Sequence, residues 1–260
     1  MRRRGEEREP LASAPEAGLL IPSVNNDDQL HYTVFSWGGV PVTSIAKACC
    51  IAATGLLAVG IAWTQEEPVC VENSPERRGE IGCSIVEKKP LPATLKEPAF
   101  WHIDKFESAD GAQAGVGLSS IAFEAHGAWW LMSIGPKSKD HHGGSHVAEV
   151  NLSPLPKADG YSMLVISAYI PGGMTSRVHF HSGVEGFYTV DGEQCLETKD
   201  KAFLMKRSDT LVVPTGITMR LVATGTKPRR TFAVIVYDSS KPPVTRLPME
   251  TALKLVSCAK

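Results

Sequence analysis

Polar and apolar positions divide this chain into three regimes. Residues 1–43 are polar and rich in turn formers, with Pro10, Pro15, Pro22, Asn25, Asn26, Asp27 and Asp28, and carry no sustained period. Such a stretch cannot bury enough apolar surface to offset its ordering, so it is expected to be disordered. An uninterrupted apolar run follows, Ala48 to Trp63, extendable back through Ile45 and Val40 if Lys47 snorkels, and residues 44–65 read as a transmembrane anchor or signal segment. This is the membrane-capable segment of the chain. Its length suits the hydrophobic region of a secretory signal, with Gly60-Ile61-Ala62 as small residues for cleavage. Counted from Ser44 to Trp63 it also suits an uncleaved single-pass anchor of about 20 residues. Either way an N-terminal hydrophobic helix is expected, and the remaining chain is expected to be membrane-tethered or exported, on the extracytoplasmic side. Orientation is weakly specified, because Lys47 lies on one flank and Arg77 and Arg78 on the other.

The third regime alternates with period two. Residues 66–98 read as a linker that ends in a Pro/Lys-rich stretch, Lys88 to Pro98. Beyond it, Ser119–Ala125 and Trp129–Ile134 flank His126-Gly127-Ala128 and predict a hairpin. Further strands are predicted at Met163–Ile170, Phe203–Met205, Thr210–Val213, Met219–Ala223 and Thr231–Tyr237. Turn chemistry separates them at Pro171-Gly172-Gly173, Thr198-Lys199-Asp200, Pro214-Thr215-Gly216 and Gly225-Thr226-Lys227-Pro228. No helical period is sustained until Met249–Val256. The pattern predicts an all-β jelly-roll barrel over residues 99–240, with extra N-terminal strands. A tail of residues 241–260, with a short helix, is expected to pack across it.

The chemistry concentrates in one stretch of this domain. His179 and His181 alternate along a strand and so share a face, and Glu185 follows after the bend Ser182-Gly183-Val184. From Glu185 a second strand is expected to return beside the first. Asp191-Gly192 then reads as a two-residue hairpin turn, after which Glu193–Thr198 pairs back. Two neutral imidazoles and a carboxylate are the facial set of non-haem iron sites, and they suit Mn, Ni or Zn as well. Strand parity places Phe187 and Thr189 with Glu185, and Leu221 with Met219, which predicts a largely apolar cavity with a polar base. Tyr188, Gln194, Arg177 and Arg220 fit the surroundings of that cavity or the surface, and no catalytic role follows for any of them.

The spacing of Gly173, His179-Phe180-His181, Glu185 and Gly192 resembles the first motif of the cupin superfamily at every fixed position. The second motif of that family resembles Ser208 to Ala223, with Pro214-Thr215-Gly216 in place. Here Ser208 stands for a glycine, Met219 for the third histidine ligand and Ala223 for an asparagine. The resemblance implies a cupin-type double-stranded β-helix holding one divalent metal (Fe, Mn, Ni or Zn) through His179, His181 and Glu185, and acting on or binding a small organic ligand. Dioxygenase, isomerase and lyase chemistry are all implied options. A metal-free ligand-binding or sensory barrel tethered to a membrane is the alternative, since one scaffold hosts many functions. Met219 either shapes the pocket, as a soft ligand or a wall, or simply fills the core. The resemblance also implies a possible homodimer.

Composition narrows the remaining classes. A formal charge of -1 over 260 residues, with Arg2-Arg3-Arg4 diluted by Glu6, Glu7 and Glu9, gives no basic stripe for nucleic acid. No dinucleotide-binding or phosphate-loop glycine motif, no G-x-S-x-G and no C-x-x-C is present. Cys70 and Cys83 bracket a charged loop and would form a disulfide in an oxidising compartment or stay as two thiols. Cys49 and Cys50 belong to the apolar run, and Cys195 is expected to be packed. His141, His142 and His146 form a cluster in a Gly-Gly loop that reads as solvated, with a second metal site or a mouth-closing loop as alternatives. His102 and His126 are expected to be structural.

Overall fold

β-branched and aromatic residues recur with period two through most of the described chain, so strands dominate. The computed structural model describes residues 71–72, 82–138 and 140–258. The segments expected to be disordered (1–43) and membrane-embedded (44–65) lie outside the described residues. Among the described residues no helix is long and apolar enough to cross a membrane.

The strands are β1 (Val71–Glu72), β2 (Gly82–Pro90), β3 (Phe100–Phe106), β4 (Ser120–Ala125), β5 (Ala128–Gly135), β6 (Ser145–Asn151) and β7 (Tyr161–Ile170). They continue with β8 (His179–His181), β9 (Gly183–Asp191), β10 (Glu193–Thr198), β11 (Ala202–Lys206) and β12 (Thr210–Val213). The last are β13 (Met219–Ala223), β14 (Arg229–Asp238) and β15 (Val244–Arg246). A short helix α1 (Ala109–Ala114) follows β3, and a 3-10 turn spans Met249–Lys254. The inner sheet runs β1-β2-β7-β14-β9-β12, the facing sheet β11-β10-β13-β8-β15, and a third sheet β4-β5-β3-β6. Strand β2 falls inside the stretch 66–98 expected to be a linker, so the barrel begins earlier than the sequence suggests.

The largest apolar core does not lie inside the barrel. Trp101, Ile103, Phe123, Trp130 and Met132 of the third sheet pack on Met163, Val165, Tyr188, Phe232, Val234 and Val236 from the outer face of the inner sheet. Phe232 is fully buried there, edge-on to Phe123 at 5.5 Å and to Trp130 at 5.0 Å. The inner sheet is thus covered on both faces, which is why β14 is buried almost end to end despite antiparallel pairing. The opposite face of the same strands closes the barrel, where Phe187, Leu196, Met205, Val213, Met219, Leu221 and Ala233 from both sheets meet.

The expected hairpin of β4 and β5 forms, with Ala125 opposite Ala128 and both loop residues at positive φ, His126 at 53° and Gly127 at 77°. His126 accepts or donates at Ser167 Oγ, 3.2 Å away, and lies 5.0 Å from the Phe232 ring. Burial, and then the charge of Arg230, depress its pKa from 6.5 to about 4. The unfolded chain therefore takes up this proton first on acidification. Stability from His126 is complete above pH 6.5 and is lost as pH falls toward 4, by at most roughly 3 kcal/mol. His126→Asn tolerates the turn and cannot titrate, so its melting temperature should fall less than the wild type's across that window. An equal fall in thermal scans would clear His126 as a source of acid sensitivity.

Two sequence expectations fail at the barrel corners. Strand β9 does not return beside β8: β8 pairs with β13 and β15 in the facing sheet, whereas β9 pairs with β14 and β12 in the inner one. Ser182 and Gly183 carry the chain across, and a Cβ on Gly183 would collide with the backbone of Val236 and Tyr237. Asp191-Gly192 likewise is a crossover and no hairpin, because β10 pairs with β11 and β13. Gly192 has φ +78°, and a Cβ there would come within 2.8 Å of Arg229 Cα. In both places glycine serves close backbone approach at a sheet-to-sheet corner.

A candidate metal centre in the barrel

The crossover at Gly183 decides the geometry of the site. His179 and His181 reach inward from the facing sheet, and Glu185, two residues past the corner, reaches inward from the inner sheet. Their ligand atoms all lie within 4.8 Å of one another. Both imidazoles are oriented through Nδ1, which donates to a backbone carbonyl: Arg177 O at 2.7 Å for His179 and Pro243 O at 3.0 Å for His181. That leaves each Nε2 as the atom facing the cavity, the tautomer a metal requires.

Nε2 of His181 sits 3.0 Å from Glu185 Oε2, both side chains 4% exposed. Beyond this ion pair neither atom has a hydrogen-bond partner. A buried imidazole nitrogen and carboxylate oxygen with no partners but each other, clustered with a second imidazole, form a donor set that fits a bound cation. Burial pulls the His181 pKa down, but the charge and contact of Glu185 and the Pro243 carbonyl outweigh it and leave it above the ordinary value. His179 is held below the ordinary value by burial and by its neighbour His181, with Arg246 adding in the same direction.

The degraded second motif has clear structural equivalents. Met219, opposite His179 in the β13–β8 register, is fully buried and packs in the barrel core with Phe187, Leu196 and Leu221. Ser208 adopts φ 70°, the left-handed region that suits the glycine it replaces. Gly216, φ +80°, donates its N–H to His181 O at 2.9 Å and so fastens β8 to the Pro214-Thr215-Gly216 turn. Ala223 is buried and exchanges backbone hydrogen bonds with Gly173 and Met174.

The trio opens onto a cavity of about 260 Å³. Its apolar wall contains Leu164, Ile166, Phe187, Leu221 and Ala233, as strand parity predicts for Phe187 and Leu221. Of its polar wall the sequence pointed only to Arg177, as a residue of the cavity's surroundings or the surface. Among the described residues Lys88, Arg177, Arg229 and Arg246 line it beside the carboxylate of Glu185. Arg229 is 2% exposed and starts the inward series Arg229, Thr231, Ala233, so the parity of β14 held the signal. Arg246 stands opposite His179 on β15, a three-residue strand too short to read from sequence. Of the other residues singled out, Gln194 and Thr189 are fully buried inside the barrel and hydrogen-bonded at 3.4 Å. Tyr188 belongs to the outer core, and Arg220 pairs with Glu197 on the outer face of β10 and β13.

His102 is structural as expected, with Nε2 at 2.9 Å from Pro136 O. Cys195 is buried as expected but is disulfide-bonded to Cys258, 63 residues later. Cys83 is also disulfide-bonded. Cys70, the partner the sequence suggests, lies outside the described residues.

Comparison with known proteins bears on the barrel. Residues 165–235 match the family model described as the cupin domain. No curated protein sequence matches the chain. Similar solved structures include a cupin-like protein from Thermotoga maritima, 16% identical over 36% of this chain and 69% of that one, TM-score 0.31. They also include a variant of oxalate decarboxylase from B. subtilis, 18% identical over 33% of this chain and 24% of that one, TM-score 0.29. A third is a variant of salicylate 1,2-dioxygenase from Pseudoaminobacter salicylatoxidans in complex with gentisate, 15% identical over 28% and 20%, TM-score 0.26. The chain carries a cupin domain at residues 165–235.

Proposed function

We propose that the barrel binds one divalent metal ion through His179, His181 and Glu185 and holds a small anionic organic ligand beside it. The observation that carries this reading is the buried pair His181 Nε2 and Glu185 Oε2, 3.0 Å apart with no other hydrogen-bond partner, within 4.8 Å of the His179 ligand atom. A divalent ion held there supplies Lewis-acid polarisation and open coordination positions. The chain's own residues do the rest. The Arg177 and Pro243 carbonyls fix the two rings, the apolar wall excludes water, and the basic lining favours a carboxylate or similar anion. Dioxygenase, isomerase and lyase chemistry are all compatible with such a site, as is ligand binding without turnover.

The Cys195–Cys258 disulfide supports an oxidising location for the barrel, in keeping with the hydrophobic segment 44–65 as an anchor or export signal.

Metal content by plasma mass spectrometry tests the first half of the reading, with the His179→Ala/His181→Ala variant purified in parallel. Near-stoichiometric Fe, Mn, Ni or Zn in the wild type and none at this site in the variant is expected. A panel of small mono- and dicarboxylates should then raise the melting temperature of the wild type more than that of Arg246→Ala. Protein that stays empty after anaerobic metal loading, and is indifferent to every carboxylate, would overturn the proposal.

A further inference from the structure

The histidine-rich turn that the sequence leaves as solvated is built around a buried carboxylate. Trp101 and Ile103 of β3 face the inner sheet, so His102 and Asp104 face the opposite side of the third sheet. Asp104 is 2% exposed there, and among the described residues its ionic partners are two histidines. His146 is its cross-strand partner on β6, at the bulge between Ile103 and Asp104, with Nδ1 at 2.9 Å from Asp104 Oδ1. His141 comes from the preceding turn and sets its Nδ1 3.1 Å from the same oxygen. The two rings stack at 3.9 Å.

The turn is preorganised. Gly144 N donates to His141 O at 2.8 Å, with His142 at φ 49° and Gly143 at φ +80° between them, the signature of a tight type I′ turn. It also rests on the end of α1, where a Cβ on Gly115 would meet His142 at 3.1 Å. One oxygen thus receives two imidazole nitrogens. His146 aligns with it, whereas Nδ1 of His141 is buried and has no hydrogen-bond partner. Three ligand atoms converge within 4.8 Å, one of them orphaned and one on a buried carboxylate.

We propose that Asp104, His141 and His146 form a second metal site, outside the barrel, that takes a zinc-type divalent cation through one carboxylate oxygen and two imidazole Nδ1 atoms. Two nitrogens and one oxygen match the donor set zinc favours, with the fourth position left to water. Binding places both imidazole protons on Nε2 and removes the unsatisfied contact at His141. It ties the turn and β6, the edge strand of the third sheet, to β3. The site shares no ligand with the barrel trio, so neither proposal depends on the other.

Cobalt(II) and zinc titrations of untagged, chelator-stripped protein separate the two sites. Four proteins are compared: wild type, His179→Ala/His181→Ala, His141→Ala/His146→Ala, and the combination of all four substitutions. The His179→Ala/His181→Ala protein should still take up one equivalent with visible cobalt absorption, and the quadruple variant none. Asp104→Asn keeps the shape of the carboxylate, so a metal-free melting temperature close to that of the wild type separates lost binding from lost folding. In the His179→Ala/His181→Ala background it should bind at least about 100-fold more weakly. An uptake in that background that is absent, or unchanged by removal of His141 and His146, would overturn the second site and leave the barrel reading untouched.

Discussion

The Glu185→Gln variant is expected to bind divalent metal in the barrel at least about 100-fold more weakly than the wild type while remaining folded, because the amide keeps the shape and loses the anionic ligand. The loss should depend on pH. His181 is held above its ordinary pKa chiefly by Glu185, working against burial, so metal entering below that raised value must displace a proton from its Nε2. Wild-type affinity should therefore climb by up to about tenfold per pH unit through the His181 titration and flatten above it. Without Glu185 the proton loses its partner and the climb moves to lower pH. His179, held below its ordinary value, stays neutral and adds no competing proton near neutrality.

The sign of the stability effect runs the other way. In metal-free protein the raised His181 contributes stability that is present below pH 6.5 and is lost as pH rises through the folded value. A metal bound as proposed would take over as that support fades. Competition with a chromophoric chelator, from mildly acid to mildly alkaline pH, measures both effects. An affinity for Glu185→Gln equal to wild type would remove Glu185 from the ligand set.

Reduction of the Cys195–Cys258 disulfide, or Cys258→Ser, is expected to cost about 4 kcal/mol from the chain entropy of a 63-residue separation. For a domain of this size that lowers the melting temperature by on the order of 10 °C. The cost has a second part, because the linked tail covers polar groups. Ser257 Oγ and Cys258 N both donate to Glu197 Oε1 at 3.1 Å, and Val256 N donates to Thr198 O at 2.8 Å. Glu197 also accepts from Arg220, Nε at 2.9 Å, and is 2% exposed although it points out of the barrel. Releasing the tail should therefore expose the outer face of β10 to hydrogen exchange. Thermal scans of the wild type and of Cys258→Ser, read beside exchange at Cys195 and Glu197, test this, because reductant would open the Cys83 disulfide as well. An unchanged melting temperature would mean that the crosslink adds nothing to the folded state.

The local chemistry of the barrel was legible in the sequence because period-two alternation encodes which side chains share a face. His179, His181, Glu185, Phe187 and Leu221 all line the cavity as parity demands. Partnership between strands was not legible at Ser182-Gly183 and Asp191-Gly192. A glycine corner that changes sheets and a glycine turn that closes a hairpin use the same residues, and only the distant strand β14 distinguishes them. Distance in sequence also hid Asp104 from His141 and His146, 37 and 42 positions away, so a turn held by a buried carboxylate read as a free loop. Cys258 escaped for the same reason. Its partner Cys195 shows the alternation of a packed residue, and nothing local marks it as bonded.

The carbonyl that fixes His181 belongs to Pro243, 62 residues downstream, and the strand flanking His179 is β15. During synthesis the three barrel ligands emerge from the ribosome within seven residues of one another, long before these supports exist. A nascent chain can display both imidazoles and the carboxylate as a loose chelate, but it can orient them only once Pro243 to Arg246 has been added. If the barrel holds a metal as proposed, selectivity among cations would thus be a property of the finished barrel.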